Sequence, residues 1–91
     1  MAIAKVLKQA VNGHDLAFDA HALRAMESRG ITEEEVIQTL EDPDEDDLSV
    51  NVPTRKRCRK FFHKRALRID VVYEEDVTWL VVITALRKGA K

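Results

Sequence analysis

A basic stretch in the second half of the sequence carries the residue types that suit an anionic ligand. It contains eight bases and no acid: Arg55, Lys56, Arg57, Arg59, Lys60, Lys64, Arg65 and Arg68. If the stretch is an extended strand, alternate side chains point to opposite faces, so both faces carry charge. Because a core strand cannot bury so many unpaired cations, at least one face should be open to water, to acidic groups of the chain or to an anionic partner such as RNA. The alternative is an edge strand whose charges prevent aggregation.

An acidic stretch precedes the basic one. Nine acids and no base lie between positions 33 and 47: Glu33, Glu34, Glu35, Glu41, Asp42, Asp44, Glu45, Asp46 and Asp47. Such segregation produces fields of opposite sign on one small molecule, and blocks of like charge often serve interactions. The net charge of -1 does not by itself indicate a nucleic-acid partner. The alternative is that the two blocks pair with each other or are simply solvated.

A predicted helix in the first half places His21 and Arg24 away from its apolar side. With about 100° between successive residues, these two lie roughly opposite Ala22, Leu23 and Met26. This position argues against a histidine buried in the core. It leaves two alternatives for His21, which are plain exposure to solvent or a place in the wall of a cleft.

The single cysteine and the histidines give weaker indications. Cys58 stands among bases, which would lower the pKa of a thiol and favour its thiolate. A catalytic cysteine also needs a base and an orienting partner, so a cysteine packed inward on a strand is the favoured interpretation. His14, His21 and His63 fall in separate segments without paired-ligand spacing, and no metal site is expected.

The elements that hold these residues begin with helices. Apolar residues at helical spacing predict a first helix within residues 1–13, which Asn12 and Gly13 would end. Asp19 is expected to cap a second helix that runs to Arg29, and Gly30 suits the left-handed position after it. Thr32 and Glu35 form a capping box for a third helix, over residues 33–41, that Pro43 stops.

Strands follow an acidic loop over residues 42–54. The pattern predicts strands near 55–62, 67–74 and 78–86 with short links, hence an antiparallel sheet in sequence order. A short extended piece at 48–52 would give a fourth strand. The expected fold is α+β, with two or three N-terminal helices followed by an antiparallel sheet of three or four strands. Its expected core contains Leu40, Ile69, Val71, Val81 and Ile83.

Length and composition set the frame for these elements. A chain of 91 residues has room for one domain, residues 1–91, with one core. One cysteine allows neither an internal disulfide nor a cysteine cluster for zinc. No apolar run reaches the length of a membrane span, and the N-terminus lacks the layout of a secretion signal. A cytoplasmic protein without a cofactor or membrane partner is expected, as a monomer or a homodimer.

Several segments, taken in order over roughly residues 18–86, resemble the bacterial domain-of-unknown-function family 4258. The opening signature is carried by Phe18, His21, Ala22, Arg24, Arg29, Gly30 and Ile31. It is followed by a short helix that ends near Pro43 and by a basic strand with Arg55 and Arg57. A strand at Leu67–Glu75 and a last strand at Val81–Thr84 complete the likeness.

That family is usually placed near the RelE/ParE toxins and related metal-independent ribonucleases, and this relation implies a function. Such enzymes let a ribose 2′-hydroxyl attack the adjacent phosphate, with an acid/base group and cations to assist. The implied catalytic residues are His21 for proton transfer, Arg24 and Arg68 for phosphate, and Thr84 for a hydrogen bond. The implied RNA-binding residues are Arg29, Arg55, Arg57, Arg59 and Lys60.

The resemblance thus favours a RelE/ParE-like toxin-type domain that acts on RNA as a metal-independent endoribonuclease, with a cognate antitoxin or another protein as partner. One alternative is a non-catalytic module of the same fold that docks an anionic or protein partner through its basic strand. Another is a domain that dimerises through its exposed sheet.

Overall fold

Asn12 and Gly13 turn a β-hairpin at the N-terminus instead of ending a helix. Both residues have positive φ, 52° and 82°, which is the backbone geometry of the tight turns that join antiparallel strands. Ile3–Val11 is therefore a strand, β1, and it pairs antiparallel with a second strand, β2, at His14–Asp19. The predicted N-terminal helix is therefore wrong. The apolar residues before Asn12 recur at helical spacing, but the Asn-Gly turn makes the segment one strand of a hairpin.

The computed structural model describes residues 3–46, 48 and 50–89. Within these residues two helices follow the hairpin, α1 at Ala20–Arg29 and α2 at Glu33–Glu41. Three more strands complete the order, namely β3 at Lys56–Phe62, β4 at Leu67–Glu75 and β5 at Trp79–Gly89. A turn of 3-10 helix at His63–Arg65 links β3 to β4.

The sheet of the described residues has the strand order β1-β2-β5-β4-β3, and it is mixed. Neighbours pair antiparallel except β2 and β5, which run parallel with Leu16 opposite Leu80 and Phe18 opposite Val82. The expected fold, with N-terminal helices followed by an antiparallel sheet, is therefore wrong. The helices lie in mid-chain because the two strands of the N-terminal hairpin precede them, and β2 of this hairpin pairs with the last strand.

Local signals at both helices are confirmed. The Asp19 side chain accepts a hydrogen bond from the Ala22 amide at 2.7 Å, and Gly30 ends α1 with a φ of 66°. The capping box of α2 is complete, since Thr32 accepts from the Glu35 amide at 3.1 Å and Glu35 from the Thr32 amide at 2.8 Å. These reciprocal bonds satisfy amides that the first turn of a helix leaves free.

The strand pairing predicted for the second half of the chain is confirmed. β3, β4 and β5 form an antiparallel meander within one or two residues of the expected bounds at most ends. The expected extended piece at 48–52 contains no strand among its described residues, and Ser49 lies outside them. Instead, Glu45 forms an isolated antiparallel bridge with Arg59 at the outer edge of β3.

The sheet has two different faces. The helix face, on which α1 and α2 pack, carries the main core, which includes Phe18, Met26, Val36, Leu40, Cys58, Ile69, Val71 and Val82. The opposite side, called the open face below, carries a smaller cluster of Ala17, Val81 and Ile83 with Val72 and Trp79 packed against it. All five residues predicted for the core are buried. Neither helix of the described residues is long and apolar enough to cross a membrane.

Candidate nucleic-acid interface

The arginines of β3 lie on the open face, because side chains alternate between the two faces along a strand. Cys58 belongs to the main core and Phe62 packs against it, so both point to the helix face. Arg57, Arg59 and Phe61 alternate with them and therefore share the open face. On β4, Ile69 belongs to the main core, so Arg68 and Asp70 also lie on the open face.

A buried carboxylate organises these side chains. Asp70 lies directly opposite Arg59 in the register of β3 and β4 and is only 1% exposed. Arg59 binds it with two donors, Nε to Oδ1 at 2.8 Å and Nη2 to Oδ2 at 2.9 Å. Arg57 donates through Nε to Oδ2 at 2.9 Å and also through Nη2. Paired, charge-assisted bonds of this kind fix the planes of both guanidinium groups.

The electrostatics of the pair follow from these bonds. Burial alone would raise the pKa of the Asp70 carboxyl, but hydrogen bonds from Arg59 and Arg57 outweigh it and hold this pKa below its ordinary value. The hydrogen bond to Asp70 in turn raises the pKa of Arg59. Asp70 is therefore ionised and Arg59 is cationic at neutral pH.

Arg68 adds a third guanidinium to the same carboxylate. Its Nε lies 3.4 Å from Asp70 Oδ1, within the range of an ion pair. Among the described residues, however, this buried Nε makes no hydrogen bond. Three cations thus surround one buried anion, and the side chains of Arg57 and Arg68 remain 28% and 27% exposed. The cluster, defined as Arg57, Arg59, Arg68 and Asp70, has an excess of positive charge that solvent can reach.

The acidic loop runs along the outer edge of β3. The amides of Asp44 and Leu48 donate to the carbonyls of Arg59 and Arg57 at 2.8 and 3.1 Å, and the Arg59 amide donates to the Glu45 carbonyl at 2.8 Å. The Glu45 carboxylate also accepts from Arg59 Nη1 at 3.1 Å. The acidic and basic blocks therefore do pair in part, as one of the alternatives supposed.

Four more bases of β3 and its flanks have acidic neighbours as well. Lys60 pairs with Asp42 at 3.3 Å, Arg55 with Glu74 at 3.0 Å and Lys56 with Glu75 at 3.5 Å. Arg65 pairs with the buried Glu35 of the capping box. Since most of these pairs are open to water, they add little stability and leave both partners available for exchange.

An aromatic pair adjoins the arginine cluster. Phe61 lies opposite Arg68 in the register of β3 and β4. The ring of His63, in the turn after β3, stacks on the Phe61 ring with centroids 6.1 Å apart and planes 18° apart. His63 is exposed and Phe61 is partly buried.

Thr84 sits in an irregular part of β5 that also faces this side. It pairs with Val72 of the open-face cluster, and the register shifts between Val72 and Tyr73. Leu86, the next open-face residue of β5, pairs with Asp70. Thr84 therefore shares the open face with the arginine cluster, and its partner Val72 lies two residues beyond Asp70 on β4.

Of the other predicted site residues, Arg55 and Lys60 hold the acidic partners named above, whereas His21, Arg24 and Arg29 lie on the other side of the sheet. α1 packs through Ala22 and Met26 onto the helix face, which leaves His21 and Arg24 exposed on the outer surface of that helix. Arg29 donates from Nη1 to the carbonyl of Ala85 at 3.0 Å and so ties the end of α1 to β5. The structure thus brings Arg57, Arg59, Arg68 and Thr84 to one face but does not bring His21, Arg24 or Arg29 to it.

Cys58 is buried, as the favoured interpretation supposed, and its Sγ lies 3.6 Å from the carbonyl of Thr39. Burial, reinforced by the negative charges of Asp46 and Asp70, raises the pKa of this thiol to about 12. The thiol is therefore protonated at neutral pH and unsuited to nucleophilic attack. Among the described residues, no group of three or more His, Cys, Asp or Glu side chains could hold a metal ion.

Three residues of this site were missed in the sequence, and each left a signal. Asp70 interrupts an apolar strand between Ile69 and Val71, a position where a carboxylate requires cationic partners. Phe61 follows Arg57 and Arg59 at the two-residue period of a strand, which places it on their face. His63 follows Phe61 by two residues, but its stacking depends on a turn that the pattern did not predict.

The chain belongs to the family described as "Domain of unknown function (DUF4258)", whose model matches residues 18–87. This match covers α1, α2, β3, β4 and all but the last two residues of β5, and so it contains both the arginine cluster and the aromatic pair. No curated protein and no solved structure gives a significant match to the chain.

Proposed function

We propose that this protein is an RNA-binding domain that holds backbone phosphates with the guanidinium groups of its open face. The observation that carries the proposal is the arrangement of Arg57, Arg59 and Arg68 around the single buried carboxylate of Asp70. Guanidinium groups bind phosphate through paired, directional hydrogen bonds. Here Asp70 fixes their orientation in advance, which lowers the entropy lost when a phosphate binds.

The geometry does not support cleavage with His21 as the proton-transfer group. Strand scission by the ribose 2′-hydroxyl needs a proton-transfer group within hydrogen-bond reach of the reacting atoms. The histidine expected for this role, His21, is exposed on α1, and the sheet separates α1 from the arginine cluster. The non-catalytic alternative is therefore the proposal adopted. The endoribonuclease activity and the cognate antitoxin stay predictions.

The acidic loop modulates this site without closing it. Glu45 holds Arg59 from the edge of β3, and its side chain is 43% exposed. An ion pair with one partner this exposed to water is worth about 1 kcal/mol. A phosphate group can therefore replace the Glu45 carboxylate at little cost, and Glu45 acts as a weak internal competitor.

The proposal predicts opposite effects for two changes at the arginine cluster. Arg57→Gln should weaken the binding of a short single-stranded RNA about tenfold or more, because a hydrogen bond to a charged group contributes about 1.5–3 kcal/mol. Glu45→Gln should strengthen binding severalfold, because it removes a competing anion. Fluorescence anisotropy of a labelled oligonucleotide measures both, and a thermal melt of each variant verifies folding.

Matched controls separate local contacts from net charge. Arg24→Gln and Glu27→Gln make the same charge changes at exposed positions of α1, on the helix side of the sheet. Each should change the affinity for RNA by less than its counterpart at the cluster. If wild type does not bind RNA, or if Arg24→Gln weakens binding as much as Arg57→Gln, the open face is not the RNA site.

A further inference from the structure

The stacked rings of Phe61 and His63 are not needed to bind phosphate. Their position suits them to bind another part of the ligand. Phe61 stands two residues after Arg59 and directly across from Arg68, so the ring pair borders the arginine cluster on both strands. The rings are nearly parallel, with an angle of 18° between their planes, and the outer ring belongs to the exposed His63. The exposed His63 therefore makes the aromatic pair accessible to a ligand beside the strand positions of Arg59 and Arg68.

We propose that this ring pair is a stacking platform for one unpaired base, so that the ligand of the open face is single-stranded RNA. The inference rests on the proposed function and narrows its ligand. Aromatic side chains bind nucleic acid by stacking on bases that are not enclosed in a duplex. In an RNA duplex the bases already stack on one another, and a flat surface at the edge of a sheet cannot reach their faces.

The order of groups along β3 agrees with such a ligand. Successive side chains on one face of a strand are about 6.6 Å apart, so Arg57, Arg59 and Phe61 form a row with even spacing. A chain of nucleotides laid along this row meets two guanidinium groups and then the ring pair. Arg57 and Arg59 would each hold one phosphate of this row, Arg68 on β4 would hold a third, and the base that follows the row would reach His63.

The experiment compares two substitutions of His63 on ligands with and without bases. His63→Ala removes the outer ring and should weaken the binding of a short oligouridylate by about 5- to 150-fold, the usual range for the loss of one stacked base. His63→Phe keeps a flat ring and should retain most of the affinity. Inorganic polyphosphate has no bases, so all three proteins should bind it equally. Duplex RNA should bind wild type more weakly than the single strand does.

Control variants and the ligand pair separate the possible failures. His21→Ala removes an exposed histidine from α1 and should leave every affinity unchanged. Phe61→Leu keeps an apolar side chain under His63 and should weaken oligouridylate binding without weakening polyphosphate binding. If His63→Phe loses as much affinity as His63→Ala, or if His63→Ala weakens both ligands equally, the stacking platform is refuted and phosphate binding stands. If wild type binds neither ligand, the proposed function fails and the platform with it.

Discussion

Asp70→Asn is expected to lower the free energy of unfolding by about 3–5 kcal/mol at neutral pH, the cost of removing one partner from a buried ion pair. Asparagine has nearly the same shape, so the loss would come from charge and not from packing. Arg57, Arg59 and Arg68 would be left to repel one another around a neutral amide. For a domain whose total stability is about 5–15 kcal/mol, this is a large share. Urea denaturation followed by circular dichroism measures it.

The same substitution has a characteristic dependence on pH. Because the pKa of Asp70 is lowered in the folded protein, its charge stabilises the fold at every pH above the ordinary pKa of an aspartate. That contribution is lost as the pH falls through the lowered value, where the folded state takes up the proton. The difference in stability between wild type and Asp70→Asn should therefore be full at neutral pH and shrink in acid.

A control aspartate shows what an exposed pair contributes. Asp42 pairs with Lys60 at 3.3 Å, and its side chain is 90% exposed. Asp42→Asn should cost about 1 kcal/mol or less. Equal costs for Asp42→Asn and Asp70→Asn, or a cost for Asp70→Asn that does not change in acid, would mean that Asp70 does not organise the arginine cluster.

Ile69→Ala is expected to cost about 2–5 kcal/mol, because it leaves a cavity in the main core. Ile69 is fully buried on the helix face of β4, next in sequence to Asp70 on the other face. A thermal melt should show a clear drop in the midpoint. Val77→Ala is the control, since Val77 is 93% exposed in the turn before β5 and should have almost no effect. An unchanged midpoint for Ile69→Ala would mean that the two faces of β4 have been assigned the wrong way round.

The sequence predicted those elements whose ends are marked by local chemistry. Asp19, Gly30 and the Thr32–Glu35 capping box act within a few residues of the chain, so both helices could be placed from them. β4 could be predicted from the alternation of Leu67, Ile69 and Val71, which is also a local pattern. The N-terminal strand was missed because its apolar residues fit a helical period as well. Asn12 and Gly13 were interpreted as the end of that helix, whereas the pair is also a strong signal for a hairpin.

The mixed sheet could not be derived from local signals. β2 pairs with β5 although about sixty residues separate them in the chain, and no short pattern encodes such a partner. Burial favours the pairing, because Leu16 and Phe18 lie opposite Leu80 and Val82 and all four are buried in the main core. Which strands pair in such a sheet depends on the packing of the whole core.

The candidate site could be predicted only in part, because some of its contacts are local and others depend on how distant segments pair. Alternation along β3 indicated that Arg57 and Arg59 share a face, and the structure places them together. The partnership with Asp70 depends on the register of two strands, and the position of His21 depends on which face α1 covers. Neither can be derived from spacing along the chain. The likeness to a family added site residues without showing that they meet.

The salt dependence of RNA binding tests the central claim most directly. Each phosphate held on a single strand contributes a slope of about -0.7 to the logarithm of affinity against the logarithm of salt concentration. Three guanidinium groups predict a slope near -2, which is a loss of about one decade of affinity between 50 and 200 mM salt. Arg57→Gln should make the slope shallower by about 0.7, and Arg24→Gln should leave it unchanged. A slope near zero for wild type, or an equal change for both variants, would contradict phosphate binding by the open face.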